Sequence, residues 1–319
     1  MLVPGRIVPR HPLRSRMGEI MAGVIATEGL TKRYGAARGI DAVTLEVREG
    51  EIFGFLGPNG AGKTTTIRLL LGLLRPTAGR ATVAGHDCWT DSTAIKRLVG
   101  YLPGEFTFDP GLTGGQILTY LGNLRGGVDQ THLRRLVDAL ELDPSRRFRE
   151  YSRGNKQKVG IIQALMHRPA LLILDEPTSG LDPLNQQTFY TLLAEAHGAG
   201  TTVFLSSHIL PEVEHICQRV GIIRDGQLVA VDAVAALKDL KQHIVEITFP
   251  TPPAPEWFAT LPGVAAPTLL ADGHILRLSV QGDLREVIRV AAAHDALNLV
   301  THEPSLEEIF LRFYTKTAA

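Results

Sequence analysis

The sequence predicts an α/β protein built on a largely parallel sheet, followed by a smaller α+β domain. Three observations carry this expectation. Short apolar runs alternate with helical patterns through most of the 319 residues, as they do where helices cover both faces of a parallel sheet. A glycine-rich loop at residues 57–64 stands between a strand pattern and a helix pattern. Around residues 238–243 the character changes, and shorter strand and helix signals follow to the end.

Taken in order, residues 42–47 alternate well enough for a strand, and residues 51–56 form a second strand that runs into the glycine-rich loop. Residues 63–74 have helical character, with no breaker before Pro76. From about 110 to 168 the pattern is helical almost throughout, with apolar spacing near 3.6 over 113–124, 131–140 and 153–167. Residues 171–174 are a short, fully apolar run suited to a buried parallel strand. Residues 202–205 and 220–223 are similar, and Asp225-Gly226 marks a hairpin turn before a strand at 227–231.

Beyond the change in character, strands are expected at 244–249, near Leu269, at 275–280 and at 298–301. Helices are expected near Trp257, at 284–293 and at 306–314, with a turn at Asp272-Gly273. That order, βαββαβ plus a helix, predicts a small ferredoxin-like domain. The expected divisions are therefore a flexible N-terminal extension at 1–23, a main domain at 24–240 with a helical part at about 110–168, and an accessory domain at 241–319.

Apolar residues make up 44% of the chain, enough for a sizeable core and against general disorder. Lys plus Arg and Asp plus Glu both number 33, a balance that argues against a dedicated nucleic-acid binder. Cys88 and Cys217 stand far apart, without zinc-ligand spacing or a disulfide framework, and read as ordinary reduced thiols. No stretch approaches the roughly 20 apolar residues that span a bilayer. The most apolar segment, 161–174, is interrupted by His167, Arg168 and Pro169, so any membrane role is expected to be borrowed from a partner. The first twenty residues carry Arg6, Arg10, Arg14 and Arg16 with three prolines and no apolar core. This is not the pattern of a secretory signal, and translation is expected to start at Met17 or Met21.

Two motifs carry chemistry. Gly57-Pro58-Asn59-Gly60-Ala61-Gly62-Lys63-Thr64 fits the phosphate-binding pattern G-x-x-x-x-G-K-[ST] in full. Its glycines let successive backbone N–H groups face phosphate oxygens, and the helix opening at Lys63 turns its positive end to the same anion. Lys63 is expected to reach the β and γ phosphates, Thr64 to coordinate Mg²⁺ through its hydroxyl, and Thr65 to complete the nucleotide-binding set. The second motif is Leu171-Leu172-Ile173-Leu174-Asp175-Glu176-Pro177, two carboxylates at the end of a buried strand, where doubly wound sheets bind ligands. Asp175 is expected to hold Mg²⁺ through water, and Glu176 to polarise the attacking water. Taken alone, this pair also reads as a solvated turn; beside the phosphate loop it reads as catalytic.

Four further features resemble the ATP-binding subunit of ABC transporters, over roughly residues 24–238. Tyr34 stands upstream of the phosphate loop, where that family stacks an aromatic ring on adenine. Tyr151-Ser152-Arg153-Gly154-Asn155 occupies the place of the family signature LSGGQ. Ser179-Gly180-Leu181-Asp182 looks like the D-loop, and His208 in Ser206-Ser207-His208 looks like the switch histidine that contacts the γ-phosphate. The resemblance implies a P-loop NTPase cassette with a helical subdomain that hydrolyses ATP. It also implies a homodimer in which Ser152 and Gly154 face the ATP of the other protomer, and whose closure drives a separate transmembrane permease subunit. Such a subunit works in the cytoplasm, on the inner face of the cell membrane. The rival reading is a soluble ABC-type ATPase of translation or DNA repair. Those generally carry two cassettes or a long inserted coiled coil, and neither is present in this sequence.

The chain departs from the family pattern at three places. Gly104 stands where glutamine or glutamate is usual, and either neighbouring Glu105 takes over that contact or the contact is dispensable. Arg153 replaces the first glycine of the signature, and Asn155 its glutamine. The ending Glu303-Pro304-Ser305-Leu306-Glu307-Glu308-Ile309-Phe310 resembles the ATPases of ABC-2-type exporters, including those for antibiotics and other hydrophobic drugs.

Overall fold

The computed structural model describes residues 23–35, 37–235, 242–270 and 272–302. The expected N-terminal extension up to residue 22, both alternative starts, the ending at 303–310 and the last helix at 306–314 lie outside the described residues. The chain divides into two compact units, residues 1–231 and 232–319.

The first unit opens with β1 (Ile25–Tyr34) and β2 (Ala37–Val47), then β3 (Ile52–Leu56), the glycine-rich loop and α1 (Lys63–Leu70). β4 (Ala78–Val83), β5 (His86–Asp87), α2 (Ser92–Leu98) and β6 (Val99–Leu102) follow. The helical stretch holds α3 (Gly114–Leu124), α4 (Gln130–Ala139), a 3-10 turn at Phe148–Glu150 and α5 (Arg153–Leu165). After it come β7 (Leu171–Asp175), α6 (Pro183–Gly198), β8 (Thr202–Ser207), α7 (Leu210–Ile216), β9 (Arg219–Arg224) and β10 (Gln227–Ala233).

These strands make two sheets where the sequence leads one to expect a single, largely parallel one. A six-stranded sheet has the order β10-β9-β3-β8-β7-β6, and its pairs from β9 to β6 are parallel. A separate four-stranded sheet has the order β2-β1-β4-β5 and is antiparallel. The reason lies in β1 and β2, where buried Ile25, Thr27, Val43, Leu45 and Val47 share the strands with exposed Glu28, Thr44 and Glu46. A strand half apolar and half polar leaves one face to solvent. β7, by contrast, is buried at every residue, as suits a central parallel strand. Phe204 of β8 packs between Phe53 and Phe55 of β3, with ring centroids 5.9 and 5.4 Å away.

α1 is shorter than the expected 63–74. Gly72 adopts φ +61°, its N–H donates to Leu69 O at 3.0 Å, and the Leu73 N–H donates to Arg68 O at 2.8 Å. These are the two bonds of a Schellman cap. A Cβ at Gly72 would fall 2.2 Å from the Cys88 carbonyl oxygen, so the turn admits only glycine. The helical stretch starts its helices on side-chain caps. Thr113 and Gln116 form a reciprocal capping box, and Asp129 accepts from the N–H groups of Thr131 and His132.

The parallel register decides what stands at the sheet's carboxyl edge. Leu56 pairs with Ser207, and Asp175 pairs with Ser206. The chain segments leaving β3, β7 and β8 therefore emerge side by side, bringing the glycine-rich loop, Asp175-Glu176 and His208 to one edge.

The second unit contains β11 (Gln242–Thr248), α8 (Glu256–Ala259), β12 (Val264–Leu269), β13 (Ile275–Gln281), α9 (Arg285–Ala293) and β14 (Asn298–His302). Its antiparallel sheet has the order β12-β13-β11-β14, the ferredoxin-like order 4-1-3-2 when read within the unit. Leu276, Leu278 and Val280 alternate inward on β13 and join Val245, Ile247, Phe258 and Val287 in a core of its own.

Candidate functional site

The glycine-rich loop leaves β3 and closes on α1 through Gly62, which caps the helix with φ 107°. A Cβ at Gly62 would stand 2.6 Å from Ile40 Cγ2 and in a strained backbone region, so neither sterics nor conformation admits a side chain. Pro58, Asn59, Gly60 and Ala61 form the turn between Gly57, whose N–H donates to Ser207 O at 3.2 Å, and that cap. Lys63 is 5% exposed and folds back on the loop, its Nζ donating to Gly57 O at 2.6 Å and Pro58 O at 3.2 Å.

Asp175 is buried at the end of β7 and accepts two hydroxyl donors. Thr64 Oγ1 donates to Oδ2 at 2.8 Å, and Ser206 Oγ donates to Oδ1 at 2.5 Å. Glu176 follows with φ +51°, a left-handed backbone for a residue with a side chain. Such a conformation costs about 1–2 kcal/mol and persists only where neighbours hold it. Here the Glu176 N–H donates to Ser206 O at 3.2 Å, and Gln157 Nε2 of α5 donates to Pro177 O at 2.8 Å. The turn carries the carboxylate between two cations or potential cations. Oε1 lies 3.2 Å from Lys63 Nζ as an ion pair without hydrogen-bond geometry, and His208 Nδ1–H donates to Oε2 at 2.7 Å. A carboxylate only accepts, so this bond puts the proton on Nδ1 and leaves Nε2 free.

Two adjoining cavities share Asn59, Thr64 and Glu176. One, of about 260 Å³, is lined by Tyr34, Gly39, Gly60, Gly62, Lys63 and Thr65 besides these. The other, of about 450 Å³, also holds Asp175, His208, Gly104, Glu105 and Arg153. Tyr34 is 46% exposed at the end of β1, with Lys32 Nζ 5.5 Å from its ring centre. Gly39 makes room for that ring, since a Cβ there would stand 2.8 Å from Tyr34 Cε2 and 3.3 Å from Thr65 Cγ2.

The structure thus brings together Tyr34, residues 57–65, Asp175, Glu176 and His208. Ser152 and Gly154 are placed differently. Ser152 caps α5 by accepting the Asn155 N–H at 3.2 Å, is exposed, and with Gly154 lines neither cavity. Sequence reasoning assigned no role to Ser206, Gln157 or Gly39. Ser206 stood in the quoted segment beside His208; Gln157 left no local signal because its partner Pro177 is on another segment, and Gly39 shows its role only through the ring of Tyr34 packed over it.

A nearby carboxylate was also missed. Glu212 on α7 is buried and accepts from Ser207 Oγ at 2.5 Å, and burial pushes its pKa above the usual carboxylate value. Cys88 and Cys217 are both buried and unbonded; burial raises both thiols, Cys88 to about 12. Among the described residues no cluster of three or more His, Cys, Asp or Glu is placed to hold a metal ion.

Residues 40–179 match the model of the family described as ABC transporter. The chain is 40% identical over 213 residues to the bacitracin transport ATP-binding protein BcrA of Enterococcus faecalis, covering 66% of this chain and 69% of that one. It is 30% identical over 308 residues to the linearmycin resistance ATP-binding protein LnrL of Bacillus subtilis, covering 92% and 99%. The chain belongs to the ABC transporter family, as an ATP-binding subunit. A solved structure of an ATP-binding subunit of an ABC transporter superimposes with a TM-score of 0.61 at 29% identity, covering 67% of this subunit and 92% of that chain. This subunit is accordingly an ABC ATPase, with an antiparallel sheet unit added after the cassette. Tyr34 and His208 lie outside the residues that the family model matches. No helix among the described residues is long and apolar enough to cross a membrane.

Proposed function

We propose that this subunit hydrolyses Mg²⁺·ATP at the edge formed by β3, β7 and β8, and that the cycle powers export through a separate membrane subunit. The observation that supports it most is the position of Glu176, held between Lys63 and His208 beside buried Asp175. In this reading the adenine stacks on Tyr34, and the phosphates take N–H groups of the loop between Asn59 and Thr65. A triphosphate competes well for Lys63, which otherwise meets two carbonyl oxygens and the single charge of Glu176, because it brings several negative charges to the same ammonium.

The oxygen pair Thr64 Oγ1 and Asp175 Oδ2, 2.8 Å apart, fits Mg²⁺. That ion takes hard oxygen ligands and usually one or two protein groups, with water and phosphate completing its shell. When bound, Mg²⁺ neutralises charge on the β and γ phosphates. Glu176 then takes the proton of the attacking water on Oε1, while the hydrogen bond from His208 keeps Oε2 occupied and the carboxylate aimed.

The N-terminus of α5, with Ser152 exposed and neither Ser152 nor Gly154 lining the two cavities, is free to meet the triphosphate of a second copy. Two copies closing head to tail over two ATP molecules would then pull on the membrane subunit, and loss of the γ-phosphate would release them. BcrA and LnrL, named for bacitracin transport and linearmycin resistance, support a drug or antibiotic as the exported class. The subunit would sit on the inner face of the membrane, attached through its partner.

The test is steady-state ATPase activity of the full chain and of Glu176→Gln. The expected result is Mg²⁺-dependent turnover that the variant lowers by about 10²–10⁴-fold, the usual contribution of a general base, with ATP affinity retained. Equal turnover in the two proteins would remove Glu176 from the chemistry.

A further inference from the structure

The hydrolytic reading gives no task to Arg153, which stands where the family signature has glycine. Its side chain is exposed at the start of α5 but is not loose. Nη2 donates to Ser179 Oγ at 2.7 Å. Its stem lies on Gly180 (φ +82°), where a Cβ would be 2.9 Å from Arg153 Cγ and 3.1 Å from Cδ. The next residue makes a backbone approach to the same turn, since a Cβ on Gly154 would stand 2.8 Å from Gly180 O. One helical turn on, Gln157 Nε2 donates to Pro177 O at 2.8 Å. One helix therefore grips residues 177–180 at both ends of the turn. That turn directly follows Glu176, whose left-handed backbone depends on what holds its flanks. The Arg153 side chain also lines the cavity that contains Asp175, Glu176 and His208.

We propose that Arg153 is a positioning residue for hydrolysis: through Ser179 it locks the 177–180 turn to α5, and so sets the Glu176 carboxylate from the start of that helix. A movement of α5 on ligand binding then reaches Glu176 directly. The inference rests on the reading that Glu176 drives ATP hydrolysis. A direct contact between Arg153 and nucleotide would instead show in the affinity for ATP.

The experiment is steady-state ATPase kinetics on the full chain, with Arg153→Met (apolar stem kept, donors lost), Arg153→Lys (charge and one donor kept), Ser179→Ala and the Arg153→Met/Ser179→Ala double variant. Loss of positioning at a reacting group costs on the order of tenfold or more. Arg153→Met and Ser179→Ala should each lower kcat by about that factor, with KM for ATP and the thermal midpoint near wild type. The double variant should be no slower than either single one, because residues acting through one contact are not additive. Arg153→Lys should recover most of the rate. Unchanged kcat in both single variants, losses that multiply in the double variant, or a loss confined to KM would each overturn the inference. An active wild type with silent variants refutes Arg153 alone, whereas a wild type without turnover refutes the hydrolytic reading and this inference with it.

Discussion

Gly104 and Glu105 show how a site can be incomplete by sequence yet furnished in space. A Cβ on Gly104 would lie 3.4 Å from Asp175 Oδ2, so the missing side chain leaves open room beside that carboxylate. Glu105 is exposed and lines the same cavity as Thr64 and Asp175, and its carboxylate is available to that space. An exposed charge of this kind is worth roughly 0.2–1 kcal/mol. Glu105→Ala should therefore lower the ATPase rate by up to about fivefold at saturating ATP, and an unchanged rate would show that the contact is dispensable. At this scale the sequence named most of the residues that meet at the site, because phosphate loops and acidic strand ends have fixed local spacing. It did not show that Glu176 adopts φ +51° or that Lys63 and His208 flank it. Those facts depend on contacts with other segments of the chain, Lys63 on α1, Gln157 on α5 and Ser206 and His208 at the end of β8.

Among the elements, α5 does the most to join the helical stretch to the sheet edge. Its N-terminus grips the turn after Glu176, and its C-terminal end runs into His167. Both His167 ring nitrogens are buried, and neither makes a hydrogen bond of good geometry. Burial, with the Arg125 guanidinium nearby, pushes the imidazole down from 6.5 to about 4. Arg125 is itself occupied, donating to the carbonyl oxygens of Lys96 and Val99 at the end of α2. Because the folded-state value is depressed, the unfolded chain takes up a proton as pH falls through 6.5 while the folded chain does not. The contribution of His167 is thus present above 6.5 and is lost as pH falls towards about 4, a change of roughly 2–3 kcal/mol. Thermal midpoints measured from pH 7 to 4 should fall over this window, and His167→Leu should flatten the slope. An identical slope in the variant would assign the acid sensitivity to other groups. The helical pattern around 153–167 was legible from apolar spacing. The early stop of α1 was missed although its signal is local: Gly72 ends that helix through two capping bonds within residues 68–73, the position where glycine is the usual stop, and only its close approach to Cys88 is long-range.

At the scale of the molecule, two units with separate cores meet different demands. Every residue that the site uses lies within residues 1–231, and the second unit buries its own Val245, Leu278 and Phe258. A chain ending at residue 231 should therefore fold and bind ATP with wild-type affinity. Tagged full chain, purified in mild detergent from its own cells, should bring down a multi-span membrane protein in stoichiometric amount, and the shortened chain should bring down less. Equal recovery by the two would separate the second unit from partner coupling, and ribosomes or DNA-repair proteins in place of a membrane protein would favour the soluble ATPase. The sequence by itself determined the phosphate loop, the acidic strand end, the helical stretch and the βαββαβ order, since each is written in contiguous residues through spacing, periodicity or turn chemistry. Only the tertiary structure decided that β1, β2, β4 and β5 form a sheet of their own, that β3, β7 and β8 end in register, and that Arg153 turns to Ser179. The pairing of β1 with β4, the parallel pairings of β3, β7 and β8 and the direction of the Arg153 side chain are settled by partners on other segments of the chain, which neighbouring residues do not specify.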